Sequence, residues 1–155
     1  SPKVNRVIKV PSSMMNQSWM GSDFSNKDIA RTDDIVEQYD HTLLGTTEQD
    51  GHQVYEIQSV PHEEAAVVWG REVLKIRDDN VMLEQRFYDQ DDLLVKTLRT
   101  FEVKEMGGRA VAARQRMEKE DAPEEWTEVI MDVVEFDIEL ADNVFTLSNL
   151  RNPRN

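Results

Sequence analysis

The chain has 155 residues, 39% of them hydrophobic, and sets 31 Asp and Glu against 18 Lys and Arg, for a formal net charge of −13 and a pI near 4.6. One domain of this length buries roughly 68–70% of the surface its unfolded form exposes, and so negative a chain repels phosphate backbones and anionic membranes, which argues against nucleic acid as a partner. With no Cys, it can form no disulfide, thiolate metal site or Cys nucleophile, and no apolar run approaches the ~20 residues of a spanning helix.

In chain order, the first residues run straight into an apolar pattern at Val4 to Val10 that predicts a strand. No charged-then-apolar signal pattern is legible in these residues, and a chain trimmed at its start is expected. Pro11-Ser12-Ser13 ends that strand, because Pro cannot extend a ladder and Ser favours turns. Met14 to Phe24 then holds three Met, a Trp and a Phe with neither period 2 nor period 3.6, and predicts an irregular loop carrying apolar side chains. Ser25 can cap a short helix over Asn26 to Thr32, with Asp28 in its first turn.

From Ile35 the pattern returns to strands. Tyr39, His41 and Leu43 alternate with Asp40, Thr42 and Leu44, Gln49-Asp50-Gly51 predicts a hairpin turn, and Val54 to Ile57 alternates on the return. Pro61-His62-Glu63-Glu64 opens a helical turn or a loop, and Val67-Val68-Trp69 and Val73 to Ile76 read as two short strands interrupted by Gly70.

The clearest signal is Val81 to Met106, two period-2 strands joined by Asp89-Gln90-Asp91-Asp92. So long an amphipathic hairpin must lay its apolar face on something, so the remaining strands are expected to extend its sheet. Gly107-Gly108 turns the chain into Arg109 to Lys119, and Ala122 to Glu125 turns it again into Trp126 to Phe136. Short connections pair neighbours in sequence, which predicts an antiparallel meander with little helix. Asp137 to Asn143 fits one helical turn, and Phe145 to Leu150 is expected to dock the end of the chain.

No catalytic or metal constellation is legible. His41, His52 and His62 lack zinc-site spacing. Asp89 to Asp92 lacks the central Gly and later Glu of a calcium loop. Gly107-Gly108 has no helix after it to hold a phosphate, and no two carboxylates are brought beside a nucleophile. No metal or cofactor is predicted. The Met14 to Phe24 loop has two readings: a cover for one end of the sheet, or part of a site for varied apolar surfaces, for which Met and Trp are suited.

Met14-Met15, Met20-Gly21-Ser22-Asp23-Phe24-Ser25, His41 to Gly45, Arg86 to Asp89 with Leu94 to Leu98, Gly107-Gly108-Arg109 and Phe145 to Leu150 together resemble the outer-membrane lipoprotein-sorting protein family, the LolA-like proteins. The resemblance runs along the whole chain and covers roughly the C-terminal two thirds of the family's domain. It implies one domain over residues 1–155 that lacks the family's first strands and helix. The implied fold is mainly β, a curved antiparallel sheet or half-open barrel with short helices or loops over its concave face. It also implies the periplasm, often encoded beside large membrane exporters, and a concave side that holds acyl chains.

The leading functional expectation is a non-catalytic carrier of lipid or lipidated protein, since a one-sided apolar sheet under an apolar loop can recognise hydrocarbon by burial. Candidate cavity and lid residues are Met14, Met15, Trp19, Met20 and Phe24 from the loop and Leu43, Tyr55, Ile57, Trp69, Phe87, Leu98 and Phe101 from the strands. The alternatives are an interaction module pairing through its sheet edge or concave face with another chain or a second copy, and an enzyme built on clustered carboxylates.

Overall fold

The computed structural model describes residues 10–30, 34–65, 67 and 69–151. The expected strand at Val4 to Val10 and the end of the expected helix at Arg31 and Thr32 lie outside them or on their border.

Seven strands form one antiparallel sheet in strict sequence order: β1 (Tyr39–Gln49), β2 (His52–Pro61), β3 (Arg71–Arg77), β4 (Met82–Tyr88), β5 (Leu94–Met106), β6 (Arg109–Lys119) and β7 (Trp126–Ile130). The chain is mainly β, at 49% strand and 15% helix, and the sheet does not close into a barrel. Its turns follow local chemistry. Asp50 and Gly51 both have positive φ, as do Gly107 and Gly108, so each pair supplies the two left-handed residues of a tight hairpin whose twist matches its strands. At the β4–β5 turn the Asp89 carboxylate accepts the backbone N–H groups of Asp91 and Leu93 at 3.0 and 2.9 Å, closing the turn from within.

Register sorts the faces. Leu43, Ile57, Leu74, Gln85, Leu98, Met117 and Thr127 stand opposite one another rung by rung and share one face, called inner here. Ser59, Glu72, Phe87, Lys96 and Lys119 form the next inner row. The outer face carries a charged ladder in which Arg86 meets Glu56 and Glu84, Arg99 meets Glu84 and Glu118, and Arg114 and Arg116 meet Glu128. Register shifts at Leu43/Gly45, Lys75/Ile76, Phe87/Tyr88 and on both sides of Glu102 mark bulges, which bend strands and sharpen their twist. The core is small: Phe24, Phe87, Leu98 and Met117 cluster on the inner face, with Trp69 and Met82 packed against them.

Four expectations need correction. Of the two short strands expected around Gly70, the second is β3, whereas Val67 and Trp69 lie in no strand and Val68 is outside the described residues. A Cβ on Gly70 would lie 2.3 Å from the Asp89 carbonyl oxygen, so this close backbone approach takes the place of a first short strand. Ile35 belongs to the short helix α2 (Asp34–Glu37), and β1 starts only at Tyr39. β7 stops at Ile130, six residues before Phe136. Beyond it Phe136 lies under the Arg109 guanidinium, 4.5 Å from the ring centre, and Asp137 pairs with Arg109 at 2.5 Å, so the chain folds onto the β5–β6 turn instead of extending the ladder. The terminal segment forms α3 (Leu147–Arg151) but does not dock: Phe145 is 79% exposed, and Leu147 and Leu150 are exposed as well.

Candidate functional site

The inner face faces a cavity of about 490 Å³. Tyr39 of β1, Glu72 and Leu74 of β3, Met82, Gln85 and Phe87 of β4, Leu98 of β5, Gln115 and Met117 of β6 and Val129 of β7 form its wall. Trp69 closes one side, and Phe24 with helix α1 (Asn26–Ala30) closes the top. Its size falls within the roughly 300–1,000 Å³ of small-molecule sites, and its lining is mostly hydrocarbon with a few polar groups.

Side-chain contacts set the roof in place. Ser25 and Asp28 cap α1 reciprocally, with the Asp28 N–H donating to Ser25 Oγ at 3.1 Å and the Ser25 N–H to Asp28 Oδ2 at 2.7 Å, the pattern of a capping box. The segment is tied down at two points. Asp28 Oδ2 also meets Lys96 Nζ at 2.6 Å, and Asp23 meets Lys119 Nζ at 2.9 Å and the Thr127 hydroxyl at 2.7 Å. Burial works against the Asp23 charge, yet Lys119 and Thr127 hold its carboxyl below the ordinary carboxylate range. Between these ties Phe24, 8% exposed, plugs into the core cluster.

Trp69 is placed by the close approach at Gly70. The Gly70 N–H donates to the Tyr88 carbonyl at 2.9 Å, Gln90 Nε2 donates to the Trp69 carbonyl at 3.1 Å, and the indole tilts against Phe87 with ring centres 5.3 Å apart. Lys96 Nζ lies 5.1 Å from the Trp69 ring centre and 4.8 Å from that of Phe87. Its ammonium is thus buried between two aromatic faces and one carboxylate.

Among the described residues, Glu72 is the other buried charge-bearing group. Tyr39 Oη donates to it at 2.9 Å and Gln85 Nε2 at 2.5 Å. Burial pushes its carboxyl above the ordinary value against the pull of those two donors. A carboxyl whose folded value is raised favours folding fully below its unfolded value, and that contribution is lost as pH rises through the folded one. Stability should therefore fall as pH climbs above the ordinary Glu range. Glu72→Gln, which keeps the shape and the Tyr39 bond, should flatten this fall and raise the neutral-pH melting temperature by a few degrees, since ~1 kcal/mol moves a chain of this size by about 2–4 °C. Parallel melts of both proteins across pH 4–8 check it, and identical profiles would assign the dependence to other groups.

Of the sequence-predicted residues, Phe24, Trp69, Phe87 and Leu98 come together around the cavity. Ile57 lies in the same inner row, half-buried, and Leu43 and Tyr55 stand on the same face toward the β1 edge, more exposed. Met14, Trp19 and Met20 are exposed and Met15 half-buried, none of them on the cavity wall; Met20, at 86% exposed and with positive φ, stands in the open. Phe101 is on the outer face, under the Arg116 guanidinium at 4.8 Å, which separates it from Leu98. Phe101 sits at the bulge between Thr100 and Glu102, three residues beyond Leu98 and turned to the opposite face. Sequence reasoning missed Tyr39, Glu72, Leu74, Met82, Lys96 and Met117. Knowing the strand register would have found Leu74 and Met117, which flank Gln85 and Leu98 in one row.

Among the described residues, His52, Asp78 and Asp79 bring metal-ligand atoms together. Arg77 already fills that role, its Nη2 lying 2.9 Å from His52 Nε2 and 2.5 Å from Asp79 Oδ2. The guanidinium donates to Nε2, so Nδ1 carries the proton given to Asp78 at 2.7 Å.

A family model described as "-like: Uncharacterized protein" matches residues 1–152. No curated protein matches the chain. Three solved structures do. A DUF1329 family protein from Desulfovibrio piger is 30% identical with a TM-score of 0.78, over 90% of this chain and 58% of its own. An outer membrane lipoprotein-sorting protein domain from Vibrio parahaemolyticus is 22% identical with a TM-score of 0.82, over 97% of this chain and 63% of its own. A LolA superfamily protein from Nitrosomonas europaea is 22% identical with a TM-score of 0.62, over 86% of this chain and 60% of its own. The chain thus spans less than two thirds of the length of each.

Proposed function

The chain belongs to the uncharacterized-protein family whose model covers residues 1–152 and has the LolA-like fold of outer-membrane lipoprotein-sorting proteins, and from that premise we propose that it is a non-catalytic periplasmic carrier of acyl chains. The observation that carries this reading is the inner-face cavity of about 490 Å³, walled by hydrocarbon from six strands and roofed by Phe24. Hydrocarbon is recognised there by removal from water, worth about 0.8 kcal/mol per CH₂. The acyl chains of a lipoprotein or a free lipid are the cargo this chemistry fits, and a membrane exporter is the partner that the family resemblance implies.

The purified protein, stripped of bound lipid, should take up a fluorescent fatty acid saturably. Phe87→Leu and Tyr55→Leu should keep the fold, and only the first, on the cavity wall, should change affinity strongly. A folded protein with no saturable uptake of any fatty acid or lipopeptide would end the carrier reading.

A second reading rests on β1. This edge strand pairs only with β2 among the described residues, and His41 to Thr47 carries no Asp, Glu, Lys or Arg to guard it. Leu43, 59% exposed, and Leu44 stand open beside the unpaired edge. Such an edge can add a strand from another chain or from a second copy. Light scattering across a concentration series, with Leu44→Lys as a control, reports self-pairing.

A further inference from the structure

We propose, resting on the carrier reading, that the cargo is an amphiphile whose anionic head group takes the place of Asp28 at Lys96. A second cavity of about 330 Å³ adjoins the first, and Phe24, Lys27, Asp28 and Trp69 line both. The smaller one is the more charged of the two, with Lys96 and Lys119 on the sheet side of its wall and Asp23, Lys27, Asp28 and Asp121 around them. A tail in the larger cavity would therefore place its head group in the smaller one.

The charges are divided by element. The two lysines stand on the sheet, on β5 and β6, whereas their partners Asp23 and Asp28 ride on the roof segment. Among the described residues, that segment's β-bridge, between Ser18 and Ser25, is internal, and its hydrogen bonds to the sheet run through side chains on at least one side, the Asp23 N–H and carboxylate meeting the Thr127 hydroxyl and Asp28 and Asp23 meeting the two lysines. A cargo with its tail in one cavity and its head in the other must cross the partition that Phe24, Lys27, Asp28 and Trp69 form between them, so Phe24 and Asp28 have to move aside. Once they move, Lys96, with only 6% of its side chain exposed, is left as a buried ammonium between two rings without its anion. An uncharged cargo cannot restore that balance, whereas an anionic head group does, and its carboxylate or phosphate oxygens can accept the same hydrogen bond that Asp28 accepts. Glu72, the remaining acidic group facing the larger cavity, is occupied by Tyr39 and Gln85 at the tail end and offers a head group no cation.

The test is a calorimetric titration of lipid-free protein with ligands of one tail and different heads: palmitate, hexadecyl phosphate, hexadecanol and a hexadecyl quaternary ammonium. Palmitate or hexadecyl phosphate should bind about tenfold or more tightly than hexadecanol, and the tighter of the two anions distinguishes a carboxylate from a phosphate head group. The paired variant Asp28→Asn with Lys96→Met, which removes both charges, should bind anion and alcohol alike, whereas Asp28→Asn alone, which frees the ammonium, should sharpen the preference for anions. Equal binding of the alcohol and the anions by the wild type, or tightest binding of the ammonium, overturns the proposal while leaving the carrier reading intact. Binding of none of the four overturns the carrier reading itself.

Discussion

Lys96→Met should lower the unfolding free energy by about 3–5 kcal/mol, the penalty of leaving one member of a buried ion pair without the other. Asp28, with 15% of its side chain exposed, keeps its capping bond from the Ser25 N–H in that variant but loses the ammonium beside it. Asp28→Asn leaves the converse, an ammonium between Trp69 and Phe87 with no counter-ion. Both groups are largely buried, so solvent and salt screen this pair less than the exposed pairs of the outer face. The double variant should recover most of the loss, because a Met stem packs where the Lys stem did and no charge remains stranded. Urea unfolding of the four proteins gives the coupling directly, and single losses that simply add would show that the pair is not a unit.

Phe87→Ala should cost about 3–5 kcal/mol, the range for removing a buried aromatic. Phe87 is buried, holds the tilted contact with Trp69 and forms part of the cluster that receives Phe24. Removing its ring enlarges a space that is already open, so the walls have little to collapse onto. Phe87→Leu retains most of the volume and should cost less than about 1.5 kcal/mol. Thermal and denaturant unfolding rank the two. If alanine proves as mild as leucine, Phe87 contributes to the site's shape and little to the stability of the core.

Most of the sheet could be read from the sequence because its signals are local. Alternation over β4, β5 and β6 and the turns at Asp50-Gly51 and Gly107-Gly108 depend only on neighbours in the chain. The strands around Gly70 and beyond Ile130 could not be read this way, because both depend on partners distant in sequence: the Asp89 carbonyl for Gly70 and the Arg109 side chain for Phe136 and Asp137. The cavity was legible only in part for the same reason. Phe24, Phe87 and Leu98 stood out as large apolar residues, whereas Lys96 and Glu72 look in sequence like ordinary outward-facing charges. Asp28 and Tyr39, which face them, lie 68 and 33 residues away. The loop's Met and Trp attracted attention by composition, yet the position that enters the core is Phe24. The cavity candidates group Phe101 with Leu98, although the period-2 alternation itself puts them on opposite sides.

Every ladder in the sheet joins strands consecutive in the chain, so each hairpin can close over a short loop without waiting for another part of the molecule. Such a topology is of low contact order and should zip quickly, its hairpins forming in the order in which they leave the ribosome. The roof is the exception. Asp23 must find Thr127 across 104 residues, and that partner lies on the last strand. The roof, made before all seven strands, is therefore the segment that must wait longest for its place, and pulse-labelled hydrogen exchange should find the amides of β4 and β5 protected before those of residues 23–28. A newly made molecule thus passes through a stage with its sheet assembled and its interior still uncovered, when it is most open both to its cargo and to a chance neighbour.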